Sequence, residues 1–70
     1  MKRLEIKSSN IVSVGHEGGA LEVEFKKNNI YQYFPVTYDQ YIKMLAAESK
    51  SKWFDANIKK NPAITFKKIS

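Results

Sequence analysis

Hydrophobic and polar positions alternate with period two through most of the first half of the chain. The clearest run is ALEVEFK at 20–26, with Leu21, Val23 and Phe25 on one side and Glu22, Glu24 and Lys26 on the other. That is the pattern of a half-buried strand. RLEIK at 3–7 alternates likewise, with Leu4 and Ile6 together, and NIVSVGH at 10–16 sets Val12 and Val14 against Ile11. Ser8, Ser9 and Asn10 predict a bend between these two runs, although one continuous bent strand reads equally well. HEGG at 16–19 predicts a turn, because Gly18 and Gly19 accept positive φ without penalty. KKNN then leads into IYQYF at 30–34, a fourth strand with three aromatics in five residues.

The loop before that strand decides which face carries its tyrosines. A two-residue Asn28-Asn29 loop sets Tyr31 opposite Lys26 and Tyr33 opposite Glu24, on the charged face. A three-residue loop from Lys27 to Asn29 sets Tyr31 opposite Phe25 and Tyr33 opposite Val23, on the apolar face. The register stays open on sequence alone. The three-residue version is favoured because it gives the Leu21, Val23 and Phe25 face a matching partner. It leaves Ile30, Gln32 and Phe34 on the side of the glutamates, and makes Tyr31 and Tyr33 mainly structural.

After Pro35 the period lengthens. Tyr38, Tyr41, Ile42 and Leu45 fall at i, i+3, i+4 and i+7, an apolar helical stripe. Thr37 suits the N-cap, Gln40 completes a capping box, and Asp39 lies in the first turn. A second, shorter helix follows from Ser49 or Ser51, with Phe54 and Ile58 one turn apart on its buried side, and Asn61-Pro62 ends it. AITFKKI at 63–69 alternates again, with Ile64 and Phe66 on one face. The expected fold is therefore α+β: a small antiparallel meander of three to four strands plus a C-terminal strand, with two short helices packed on one face. Seventy residues bound this to a single domain, 1–70.

Charge changes the picture once it is located. The net +5 does not come from residues 1–48, where six cations balance six anions. Residues 49–70 carry Lys50, Lys52, Lys59, Lys60, Lys67 and Lys68 against Asp55 alone. Such asymmetry points to a polyanionic partner, set against the plain alternative of a solubilising surface. Eleven of the twelve cations are lysine, which suits point-charge attraction to phosphate better than bidentate base reading. Trp53, among these lysines, adds a ring that can stack on a base. The competing role for Trp53 and Phe54 is to anchor the short second helix in the core.

Catalytic chemistry has little support. The sole histidine, His16, has only Glu17 beside it and reads as a turn residue. Glu22 and Glu24 share a strand face that reads as solvated. There is no cysteine, no phosphate-cradling glycine loop and no nucleophile elbow, so neither a metal nor a cofactor is expected. No apolar run has signal-peptide or membrane-spanning length, and a soluble cytoplasmic protein is the expectation.

Taken in order, SSNIVSVGHE, LEVEFKKNNIYQYF-PV and LAAESKSKWFDANIK resemble the KTSC domain. That module occurs at the C-terminus of some lysyl-tRNA synthetases and as free-standing bacterial and phage proteins. The resemblance rests on Leu21, Val23, Phe25, Tyr31, Tyr33, Val36, Ala47, Ser49, Phe54 and Ile58, and spans residues 8–60. The sequence departs from the family pattern at Asn28-Asn29, where glycines are usual, and in SKSKWF, which lacks the glycine after the serine; AITFKKIS lies outside the match. The synthetase context implies RNA, in agreement with the independently located lysine excess. The expected function is thus a non-catalytic binding module with weak, sequence-tolerant affinity for RNA through Lys50, Lys52, Trp53, Lys59, Lys60, Lys67 and Lys68. The alternative is a protein-interaction module, of phage or mobile-element type, that binds an acidic partner. Oligomeric state is not legible in the sequence.

Overall fold

A computed structural model describes residues 3–6, 8 and 10–70 of the chain. Lys2, Lys7 and Ser9, which entered the charge balance, the first strand and the expected 8–10 bend, lie outside the described residues. Five strands form one antiparallel sheet in sequence order: β1 (Leu4–Glu5), β2 (Ile11–Glu17), β3 (Ala20–Phe25), β4 (Asn29–Phe34) and β5 (Thr65–Lys68). Helices α1 (Tyr38–Ala46) and α2 (Lys50–Phe54) connect β4 to β5, and a π-helical turn, Asp55–Lys59, extends α2. The α+β expectation holds, with the C-terminal strand docked on β4.

The β3–β4 turn keeps the favoured parity but shifts the register by two residues. Val23 faces Tyr31 and Leu21 faces Tyr33, so the three-residue loop is Lys26–Asn28. Lys27 (φ 68°) and Asn28 (φ 60°) take the left-handed conformations that close it. A shift of two leaves every side chain on its expected face.

The reading of β2 needs correction. A bulge between Ile11 and Ser13 inserts Val12 as an extra residue, so Ile11 and Val14 both reach the core while Val12 turns outward. His16 is likewise not a turn residue: β2 runs on through Glu17, and the turn is Gly18-Gly19 alone. His16 Nε2 donates to the Val36 carbonyl, and the Val36 N–H donates to the Gly19 carbonyl at 2.8 Å. Both peptide groups of this buried residue are thereby clasped by the β2–β3 hairpin. The His16 ring stacks on Tyr41 (5.5 Å, 18°) and meets Tyr38 edge-on (5.9 Å, 61°), which seats α1 over the hairpin end.

Helix α1 starts as its sequence predicts. Gln40 N donates to Thr37 Oγ1 at 3.1 Å and Thr37 N to Gln40 Oε1 at 2.8 Å, a complete capping box. Its buried stripe is displaced, however. Met44 is fully buried with Tyr41 and Leu45 beside it, whereas Tyr38 and Ile42 are exposed. The helix has rolled toward Met44, and Tyr38 packs on His16 instead of the core. In α2, Phe54 and Ile58 are both buried as expected, and Ser49 is the N-cap without a side-chain bond. The core is Ile11, Val14, Leu21, Val23, Tyr33, Val36, Met44, Phe54 and Ile58, between the sheet and the helices.

The opposite sheet face is not simply solvated. Glu22 is buried beside Arg3, Nη1 to Oε2 3.1 Å, and Ser13 Oγ donates to Glu24 Oε1 at 2.9 Å. These carboxylates hold β1 and β2 to β3, a structural task the alternation did not reveal.

Candidate ligand groove

Period-two geometry sends Tyr31 and Tyr33 to the helical face of β4, and β5 places Phe66 opposite Tyr33 and Lys68 opposite Tyr31. Phe54 of α2 packs edge-on against Tyr33 (5.0 Å, 82°) and Phe25 (5.7 Å, 65°), closing that part of the face. It leaves Tyr31 and Phe66 at the border, 6.0 Å apart and tilted by 49°. Tyr31 is half-buried, and Phe66 keeps 66% of its surface exposed. Beside them opens a groove of about 620 Å³ whose walls are Phe25, Tyr31, Tyr33, Phe54 and Phe66. Its polar rim comes from Asn10, Lys26 and Asn29 at the strand ends and from Asp55 and Lys59 on the π-helical turn. The size falls within the range of roughly 300–1,000 Å³ usual for small-ligand sites.

The electrostatics of the groove are mixed. The Tyr33 hydroxyl is pushed up to about 12, first by burial, then by Tyr31 and by the Asp55 carboxylate. It therefore stays protonated at neutral pH. Lys26 and Lys59 bring positive charge to the rim, and Lys68 adds a third cation on the same sheet face.

The seven residues that the sequence singled out for binding do not form one cluster. Lys59 lines the groove and Lys68 lies beside Tyr31. Lys67 alternates to the other face, where it borders a smaller hollow with Gln32 and Phe34. Lys50 Nζ donates to the Ala47 carbonyl at 3.3 Å, fastening the end of α1. Lys52 and Lys60 are exposed, and Trp53 packs half-buried against the core and does not line the groove. Tyr31 and Tyr33, expected to be mainly structural, both line the groove: Tyr33 is buried in the core and Tyr31 is half-buried at its border. Sequence reasoning missed Phe66, Lys26, Asn10, Asn29 and Asp55 as groove residues. The alternation in AITFKKI carried the signal for Phe66, but its neighbours became visible only once β5 was paired with β4.

Among the described residues no group of three or more His, Asp or Glu could hold a metal ion, and no helix is long and apolar enough to cross a membrane. A sequential five-stranded meander with two helices on one face and an open aromatic groove defines a small α+β module. The chain belongs to the KTSC domain family, whose model matches residues 7–61. It is similar to the crystal structure of a KTSC domain protein from Yersinia pestis, with 28% identity and a TM-score of 0.86 over 99% of this chain and 97% of that one. No curated protein matches the chain. The family description names a domain and indicates no catalytic class.

Proposed function

We propose that residues 1–70 act as one cytoplasmic, non-catalytic module that binds single-stranded RNA, weakly and with little sequence preference. The observation that carries this reading is the exposed Phe66 ring next to Tyr31, flanked by Lys26, Lys59 and Lys68. Aromatic faces accept any base, and lysines at their border neutralise the adjoining phosphates. The stacking role thus moves from Trp53 to Phe66 and Tyr31, and the lysine field shrinks to Lys59 and Lys68 of the C-terminal set, joined by Lys26 of the β3–β4 turn.

Binding of fluorescently labelled mixed-sequence RNA, followed by anisotropy at two salt concentrations, tests this. Three groove-side lysines predict a log–log salt slope of about −2, whereas all six lysines of residues 49–70 predict about −4. Phe66→Ala should weaken binding by about tenfold without unfolding the exposed strand end. Absence of binding at low salt ends the RNA reading. If the field instead serves an acidic protein partner, polyglutamate competes as well as RNA does and Phe66→Ala leaves affinity unchanged.

A further inference from the structure

Asp55 is the sole acid of residues 49–70, yet it lies on the groove rim among lysines. Its carboxylate acts on the neighbouring Tyr33 hydroxyl through its charge alone, and among the described residues its side chain makes no hydrogen bond. Among the described residues it makes no ion pair with Lys59, four residues on, although Asp39 and Lys43 at the same spacing pair at 3.3 Å. It does not cap a helix N-terminus either, since it stands midway along the helical stretch from Lys50 to Lys59. A carboxylate at this position repels phosphate, so it opposes RNA binding unless it recognises a donor group on the ligand.

Among the four RNA bases, guanine alone presents two parallel N–H donors on its Watson–Crick edge, N1–H and N2–H. Adenine and cytosine each offer one amino group there, and uracil one imide N–H. A carboxylate accepts a parallel pair of donors through its two oxygens. We propose that the groove holds one guanine, stacked on the exposed Phe66 ring with Tyr31 against its edge, and with Asp55 accepting from N1–H and N2–H. The neighbouring O6 needs a donor, and Lys59 on the same rim supplies one. Tyr33, protonated at neutral pH, adds no second negative charge to the site. This inference rests on the RNA-binding reading: affinity along the strand stays sequence-tolerant, and one base position does not.

The test uses uridine oligomers with a single central guanosine, inosine or adenosine, measured by anisotropy at low salt with the full chain. Inosine keeps N1–H and lacks the N2 amine. The wild-type protein should favour guanosine over adenosine by about tenfold, with inosine between. Asp55→Asn should bring guanosine down to the adenosine level and leave the adenosine oligomer as tight or tighter. Equal wild-type affinities for guanosine and adenosine overturn the guanine assignment and leave RNA binding standing; a preference that survives Asp55→Asn overturns Asp55 as its acceptor. Failure of every oligomer to bind overturns the RNA reading itself. The guanosine–inosine comparison needs no variant: if Asp55→Asn perturbs folding, equal affinities for the two still overturn the two-donor recognition.

Discussion

Replacing His16 by alanine tests the contact that seats α1 on the hairpin. The Val36 carbonyl accepts the His16 Nε2–H in a place where Val36 is 1% exposed, so its loss leaves a buried acceptor without that donor. Such a group costs about 1–3 kcal/mol. The stacked ring on Tyr41 is lost as well, at about 0.5–1.5 kcal/mol. Together the expected destabilisation is about 2–4 kcal/mol, against a total for 70 residues of roughly 4–10 kcal/mol. In urea, with a slope near 1 kcal/mol/M for a domain this small, the midpoint should fall by about 2 M or more. Circular dichroism and Trp53 fluorescence should report the same transition. His16→Gln keeps an N–H donor but not the ring, and should recover roughly half of the loss. A His16→Ala protein within about 0.5 kcal/mol of wild type would show that the bond and the stack hold nothing, and that α1 is seated by Met44 and Leu45 alone.

Phe54→Ala removes the ring that covers Tyr33 and Phe25, and should cost about 3–5 kcal/mol; a melting temperature within a few degrees of wild type would sink the packing account. The raised Tyr33 hydroxyl makes the folded state hold a proton that the unfolded chain releases near pH 10. Stability should therefore be full below pH 10 and decline as pH rises toward about 12, by up to about 2 kcal/mol. Tyr33→Phe should flatten that decline, and an equally steep one in the variant would refute the assignment. Gly19→Ala places a Cβ at φ +79°, 3.2 Å from Phe34 Cε1, and should lose about 1–2 kcal/mol, read as a shift in the urea midpoint. Because the Phe34 ring is exposed and can swing, the backbone supplies most of that cost, and an unchanged midpoint would refute it.

Most of the architecture was legible because alternation and helical period are local properties. The period-two run Leu21, Val23, Phe25 and the capping box of Thr37 and Gln40 each specify an element without reference to the rest of the chain. The misses share a cause: each was decided by contacts distant in sequence. Val12 faces out because the core needs both Ile11 and Val14, which only a bulge can provide. Tyr38 leaves the helical stripe because His16, 22 residues earlier, offers it an edge-on contact. Lys50 looked like part of a field but is bound to Ala47, since the end of α1 leaves a carbonyl to satisfy. The groove was the least legible part, because its walls come from three strands and a helix, and its rim includes the turn and the π-helical segment.

The tyrosines of IYQYF show why face and exposure are separate questions. Tyr31 and Tyr33 share one side of β4, which the parity of the β3–β4 turn settles. What separates them is the place where α2 ends its cover. Both tyrosines meet Phe66 of the edge strand, at 5.8 Å from Tyr33 and 6.0 Å from Tyr31, but Phe54 packs on Tyr33 and Phe25, on either side of Tyr31. The same strand thus spends one ring on closing the core and leaves the next at the wall of an open groove. The two-residue register shift matters here although it preserves the faces. Had Tyr33 stood opposite Val23, it would have been Tyr33 at the border and Tyr31 level with Phe25. The functional surface follows from which tyrosine lies under Phe54, a property of register and helix length together, and composition alone does not contain it.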